Sequence, residues 1–433
     1  MKASSRLAGA VALAFLAQPI AAQELAEEQV NLISSRLAAS SRRSWEIGTR
    51  AQAILEHNAT RYSVFANNDL PPPSNIPGDQ QGPLNPIWDI ARQVLQNGAG
   101  GNDPAPLLGD SSVADPASIG VAVLLANWTN LDQKDDQYER AARNQLNFLY
   151  TDRVPKNGDG AISHRLEDVQ LWSDAVFMLP PFLAYYGVIT DNKTVVDQAY
   201  NQIRLYHDQL YDKSAGVWRH IVGGSSDADN GYWATGNAWA AAGMLRVYAT
   251  IDHSKWSGKM KNEKKDLKKW VEEIHKGVYD RYFDGENILR NYLNDPNTFY
   301  DAASTALMAA SVYRASTVMD IHTYVPYAER SRITLFTPNS GPWTNQNWTR
   351  FTDYEYFTTD GWLRPVVNPT SIKEKLDDGQ SPEAQAFAVM MHSAWRDWRW
   401  AGEKGKNAAD RALGSCAAVV IPSLAVILGS FLI

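Results

Sequence analysis

Apolar residues recur at helical steps along most of this chain. Between Leu25 and Glu56 they fall at Val30, Leu32, Ile33, Leu37, Trp45, Ile47, Ala51 and Leu55, mostly three or four residues apart, which predicts amphipathic helix. The same spacing predicts helices over Pro86–Leu95, Asp115–Trp128, Gln137–Tyr150, Leu171–Val188, Lys193–Leu210, Trp233–Ile251, Lys261–Tyr282, Asp301–Ala315 and Pro382–Trp398. Asp115 before Pro116 provides a cap and a first-turn proline. Pro180-Pro181 predicts a kink, because a proline inside a helix removes a hydrogen bond. No stretch alternates strongly enough to predict a sheet.

The helices are of two kinds. Asp115–Trp128, Trp233–Ile251 and Asp301–Ala315 are apolar almost all round, whereas Gln137–Tyr150 and Lys261–Tyr282 carry a single apolar stripe. An inner ring of helices wrapped by an outer ring requires this alternation, since only the outer ring meets water. The pattern therefore predicts an all-α, single-domain barrel of helical hairpins. No internal repeat fixes the number of hairpins. Lys255–Lys276 is lysine-rich, but Glu263, Asp266, Glu272 and Glu273 interrupt it and Met260, Leu267, Trp270 and Ile274 give it an apolar stripe, so it reads as a solvated outer helix. Loops dense in Pro, Gly, Asn and Asp lie at Asn67–Pro83 and Gly98–Ala114. The longest, Thr337–Gln380, holds Trp343, Trp348, Phe351, Tyr354, Tyr356, Phe357 and Trp362. These aromatics suit either closure over a ligand or packing beneath the loop.

The ends suggest export. Lys2 and Arg6 precede the apolar run Leu7–Ala17, and Ile20-Ala21-Ala22 ends in small residues, so residues 1–22 read as a signal peptide. At the other end Ala417–Ile433 is apolar with no charge after it. A polar spacer and the small residues at Asn407-Ala408-Ala409 precede it, an order that fits a GPI-attachment signal, with Asn407 as the attachment residue and Gly414 or Ser415 next. A retained membrane helix is the alternative reading of residues 407–433. Cys416 is the single cysteine, so the domain over residues 23–406 has no disulfide and depends on a large core. Sequons at Asn58, Asn127, Asn192 and Asn347 are candidate glycosylation sites. The formal net charge is −7, which argues against a nucleic-acid partner. The partner expected through the tail is a membrane, with the chain acting as a monomer.

Two stretches carry candidate chemistry. Ser163–Pro181, SHRLEDVQLWSDAVFMLPP, sets Asp174 among Leu171, Trp172, Phe177 and Met178. A carboxyl in apolar company holds its proton more tightly, as a general acid must. Asp174 equally suits the start of a helix. Asn230–Leu245, NGYWATGNAWAAAGML, places Trp233 and Trp239 around Gly236-Asn237, and indole faces suit sugar rings. His164 and Arg165 follow the glycine-rich turn Asn157–Gly160, and His220 follows Trp218; each is a candidate hydrogen-bonding group or an ordinary structural residue. Metal-ligand spacing, a P-loop, a dinucleotide fingerprint and a serine nucleophile elbow are all missing, so no metal or cofactor is expected.

LWSDAVFM followed by YWATGNAW resembles the unsaturated rhamnogalacturonyl hydrolases and related unsaturated uronyl hydrolases of glycoside hydrolase families 105 and 88. The resemblance runs from about Asp115 to Trp398 and takes in DAASTALMAA and SPEAQAFAVMMHSAWRDW. It implies an (α/α)6 barrel. It makes Asp174 the catalytic acid and base, sets Asp115 beside the sugar, and places His164, Arg165, Trp172, His220, Trp233, Asn237 and Trp239 around the substrate. The chemistry implied is hydration of a C4–C5 double bond, with Asp174 protonating C4 and water adding at C5. One position departs from the pattern: the usual arginine after Trp-Ala or Trp-Gly is Thr235, which cannot pair with a carboxylate through two charged hydrogen bonds. Arg165, Arg219 and Arg364 are the candidate substitutes. Two alternatives stand beside this reading. One is a conventional glycosidase of the same fold pairing Asp174 with Asp115 or Glu383; the other is a non-catalytic, surface-tethered glycan binder.

Overall fold

The computed structural model describes residues 24–131, 136–225, 228–339, 350–376 and 379–406. The signal segment 1–22, Trp343, Asn347, Trp348, Asn407 with the other attachment candidates, Cys416 and the apolar tail lie outside the described residues.

Within them the helices are α1 (Glu27–Ser40), α2 (Ser44–His57), α3 (Gly78–Gln96), α4 (Gly120–Trp128), α5 (Gln137–Phe148), α6 (Ala175–Met178), α7 (Pro180–Ile189), α8 (Lys193–Leu210), α9 (Ala234–Asp252), α10 (Lys261–Arg281), α11 (Ala302–Val318), α12 (Val325–Phe336) and α13 (Pro382–Trp400). A 3-10 turn, Asp115–Ile119, leads into α4. The long amphipathic stretch at the N-terminal end is two helices, because Ser41 turns to extended backbone and Glu46 accepts the N–H groups of Arg42 and Arg43 to start α2 afresh. Leu171–Val188 divides likewise. Its first residues form strand β1 (Gln170–Trp172), the helix breaks at Leu179, and Pro180 restarts it from the first position, where a proline costs nothing. Helix α12 was not predicted.

The ring order follows from the packing. α2 lies against the Asp115–Ile119 turn, α4 against α7, α6 and α7 against α9, α9 against α11, α11 against α13, and α13 against α2. This closes an inner ring. α1, α3, α5, α8, α10 and α12 pack on its outside. The inner members are the apolar ones: every residue of α7 is buried, and so are all but two residues of α9 and of α11. Close approach is achieved with small residues, and a Cβ at Gly243 of α9 would lie 2.2 Å from the Val176 carbonyl oxygen of α6.

The remaining strands are short antiparallel pairs: β1 with β4 (Ile221–Gly223), β2 (Tyr211–Asp212) with β3 (Val217–Trp218), and β5 (Val367–Asn368) with β6 (Ser371–Lys375). Of the two purposes expected of the long loop's aromatics, packing beneath the loop is the one found. Phe351 stacks on Phe357 with ring centres 4.2 Å apart and Tyr354 lies against both, so these aromatics form core. The β5–β6 hairpin leans over the mouth of the barrel and puts Pro369 and Ile372 on the wall of the cavity there.

Candidate active site

The starts of the inner helices converge on one end of the barrel. Arg43 and Ser44 open α2, Asp115 opens the turn before α4, Asp174 caps α6, Trp233 caps α9, Asp301 caps α11 and Glu383 stands in the first turn of α13. A cavity of about 540 Å³ lies among them. Its wall includes Asp115, His164, Arg165, Trp172, Asp174, His220, Trp233 and Trp239, eight of the nine catalytic and substrate-binding candidates from the sequence. Helix N-termini carry partial positive charge, so their convergence favours an anionic ligand.

The ninth, Asn237, is elsewhere. It is fully buried and its amide is consumed within the protein: Oδ1 accepts the Trp218 N–H at 2.8 Å, and Nδ2 donates to the carbonyls of Trp218 and Trp233, each at 3.0 Å. It holds the β2–β3 turn against α9 and has nothing left for a sugar.

Asp174 follows directly from β1. The β1–β4 pairing sets Trp172 opposite Ile221, and the Ser173 N–H donates to the His220 carbonyl at 2.9 Å. Two segments far apart in sequence are thereby joined at the cavity. Gly236 lets α9 approach Ser173 closely, since a Cβ at that position would lie 2.2 Å from Ser173 Oγ and that hydroxyl would have to turn away. The Asp174 side chain is half-buried, and its Oδ1 is buried with no hydrogen-bond partner among the described residues.

Two further carboxyls face the same space. Burial pushes the Asp115 carboxyl well above the usual range; the charges of Asp174 and Asp110 add to this, and the Ser112 hydrogen bond and Arg165 oppose it. Burial also pushes Glu383 up to about 8, reinforced by Asp174, Asp301 and Glu46 and opposed by a hydrogen bond from Trp45.

The aromatic wall is continuous. His164 stacks on Trp172 with ring centres 4.6 Å apart, the edge of His220 meets Trp172 at 5.5 Å, and His220 lies 4.5 Å from Trp233. Burial holds His164 down to about 4 against the pull of Asp174, so its ring is neutral at neutral pH. Its Nε2 is 3.4 Å from Ser112 Oγ and 4.0 Å from Asp115 Oδ1.

Thr235 is fully buried, off the cavity, and donates to Asp301 at 3.3 Å. Of the substitutes foreseen for the missing arginine, only Arg165 lines the cavity. Arg219 is taken by Asp212 at 2.7 Å, and Arg364 is exposed elsewhere. Sequence reasoning missed Arg42, Arg43 and Trp45, which line the opposite wall. Arg42 spends its guanidinium on the Ala39 and Ser41 carbonyls, whereas Arg43 lies over the Trp45 ring at 5.1 Å. The double arginine ahead of a helix start was the available signal. Among the described residues there is no cluster of potential metal ligands.

Comparison with known proteins agrees with this fold. The sequence pattern of Glycosyl Hydrolase Family 88 matches residues 110–337. Among curated proteins the sequence finds no match. A possible member of family GH105 from Klebsiella pneumoniae is similar in structure, with TM-score 0.61 and 16% identity over 91% of this chain and 99% of that one. A family 88 glycosyl hydrolase from Bacteroides vulgatus gives TM-score 0.60 and 15% identity over 87% and 100% of the two chains. An unsaturated glucuronyl hydrolase specific for heparin gives TM-score 0.55 and 12% identity over 86% and 96%. With the fold an all-α six-hairpin barrel and the family pattern covering more than half of the sequence, this chain belongs to Glycosyl Hydrolase Family 88.

Proposed function

We propose that this hydrolase removes an unsaturated uronyl residue from the end of short oligosaccharides of the kind a pectin-cleaving lyase leaves, rhamnogalacturonan fragments foremost. The observation that carries the reading is the Asp174 carboxyl, standing at an indole-lined wall with its inner oxygen unpartnered among the described residues. Asp174 delivers a proton to C4 of the enol ether, a water oxygen bonds to C5, and the proton that water sheds returns to Asp174. The hemiketal so formed opens and releases the next sugar. Trp172, Trp233 and Trp239 offer ring faces, His164 offers a neutral imidazole, and Arg43 and Arg165 offer cations to the uronate carboxylate. Loss of the conjugated uronate's absorbance reports turnover, and an Asp174→Asn enzyme that keeps full activity overturns the reading.

A second reading is favoured by one observation: burial raises the proton affinity of Glu383 and of Asp115, which share the cavity with Asp174, and an ordinary glycosidase uses a pair of carboxyls of which one is a general acid. Release of reducing ends from a saturated oligosaccharide would select it.

Export and tethering belong to the same proposal, resting on residues 1–22 and 407–433. Asn58 and Asn192 are exposed and open to glycosylation, whereas Asn127 is half-buried within α4. Among the described residues no helix is long and apolar enough to cross a membrane. Mass spectrometry of the mature protein tests this: recovery of the 417–433 peptide excludes the anchor.

A further inference from the structure

His220 is held by a pair of residues that the catalytic reading leaves without a role. Its Nδ1 lies 3.0 Å from Asp229 Oδ2. The same oxygen accepts the Tyr292 hydroxyl, and Asp229 Oδ1 accepts the Gly231 N–H at 2.9 Å. The backbone fixes the pair as well, with the Ile221 N–H donating to the Asp229 carbonyl at 2.8 Å and the Asp229 N–H returning to Ile221 at 3.0 Å. Burial raises the Asp229 pKa, but the hydrogen bonds from His220, Tyr292 and Gly231 outweigh it and leave the carboxyl well below the ordinary range. An ionised carboxylate only accepts, so both the Tyr292 hydroxyl and the His220 Nδ1 must donate. A ring that donates from Nδ1 and carries no second proton has its lone pair on Nε2. That atom is buried, has no hydrogen-bond partner among the described residues, and belongs to a side chain lining the same cavity as Asp174.

We propose that Asp229, itself fixed by Tyr292, is a positioning residue that holds His220 in the Nδ1–H tautomer, so that Nε2 accepts a hydrogen bond from a hydroxyl of the sugar seated against Trp172 and Trp233. The hydroxyl contact rests on the saccharide-hydrolase reading above; the tautomer does not. The group recognised is a ring hydroxyl, a donor, so an analogue with hydrogen in its place binds without this contact and leaves Nε2 unpaired.

The test uses the full chain carrying 15N-histidine. In the free protein the His220 resonances report Nδ1–H; in Asp229→Asn, whose amide can donate to Nδ1, they move toward the Nε2–H tautomer, and in Tyr292→Phe, which keeps the carboxylate, they stay. Unaltered His220 resonances in Asp229→Asn overturn the positioning role whatever the enzyme acts on. With an unsaturated uronyl disaccharide, Asp229→Asn raises KM about tenfold, the worth of one hydrogen bond, and changes kcat far less. A purely structural Asp229 would instead lower the folded fraction and leave KM where it was, which also overturns the proposal. Titration of the inactive Asp174→Asn protein with the disaccharide separates the two failures. Binding without a shift at His220 Nε2 refutes the contact alone, and no binding refutes the substrate reading.

Discussion

The Trp45 indole donates to Glu383 Oε2 at 3.2 Å, joining the first inner helix to the last across the cavity wall. Glu383 is pushed up to about 8 from an ordinary value of 4.5, chiefly by burial. The folded state therefore keeps a proton that the unfolded chain gives up above about pH 4.5. Stability contributed by the protonated group is complete below that pH and is lost as pH rises through about 8. Chemical denaturation of Glu383→Gln across this range is expected to show a flatter profile than the parent protein; parallel profiles would refute the assignment.

Asp174→Asn retains the hydrogen-bonding outline of the side chain but cannot carry the proton. Turnover of an unsaturated uronyl substrate is expected to fall about 10²–10⁴-fold, the usual contribution of a general acid or base, with the melting temperature little altered. Steady-state kinetics beside a thermal melt decide it.

Carboxylate recognition is the property most exposed by Thr235. Arg43→Ala is expected to raise KM for the uronyl substrate about tenfold and to leave KM for a neutral analogue unchanged, because a hydrogen bond to a charged group is worth roughly 1.5–3 kcal/mol. Arg219→Ala, whose guanidinium belongs to Asp212, should leave both unchanged. Restoring the usual arginine with Thr235→Arg does not rescue binding, since the site is closed core beside Asp301; the expected outcome is a loss of folded protein in a thermal melt.

Asn237 separates structure from chemistry. Asn237→Ala strands the Trp218 amide and carbonyl in the interior, a cost of about 2 kcal/mol or more, while the Trp233 carbonyl keeps the backbone N–H of residue 237. Denaturant titration should register that loss while KM measured on the folded fraction stays the same.

The barrel was readable in the chain because ring position imposes composition. Helices wrapped on all sides, such as α9 and α11, are uniformly apolar, and α10 carries the stripe of a helix with one wet face. Register was less legible. Periodicity ran unbroken through Ser41–Arg43, where a single extended residue splits the helix, and it could not show Leu171 and Trp172 leaving helical form to pair with Val222 and Ile221. In the site, Asp174 and its tryptophans stand in one contiguous motif. Trp45, Arg43 and Glu383 reach the cavity, and Asp229 reaches His220, only through closure of the ring or pairing of strands, which no local pattern encodes. Asn237 misled for the opposite reason: its neighbours in sequence line the cavity, but a helix turns adjacent residues to different faces.

At the far end of the barrel Glu56, from the last turn of α2, pairs with Arg246 of α9 and with Arg314 of α11, which also reaches Asp397 of α13 at 2.6 Å. α2 and α9 stand on opposite sides of the ring, so this bridge bolts the bore shut, and Phe65 lies beneath both guanidiniums at 5.4 and 4.6 Å. The hollow is consequently a thimble rather than a tunnel. A polymer cannot thread it; only a terminus can dip in, and the cleaved unit has to back out by the way it came.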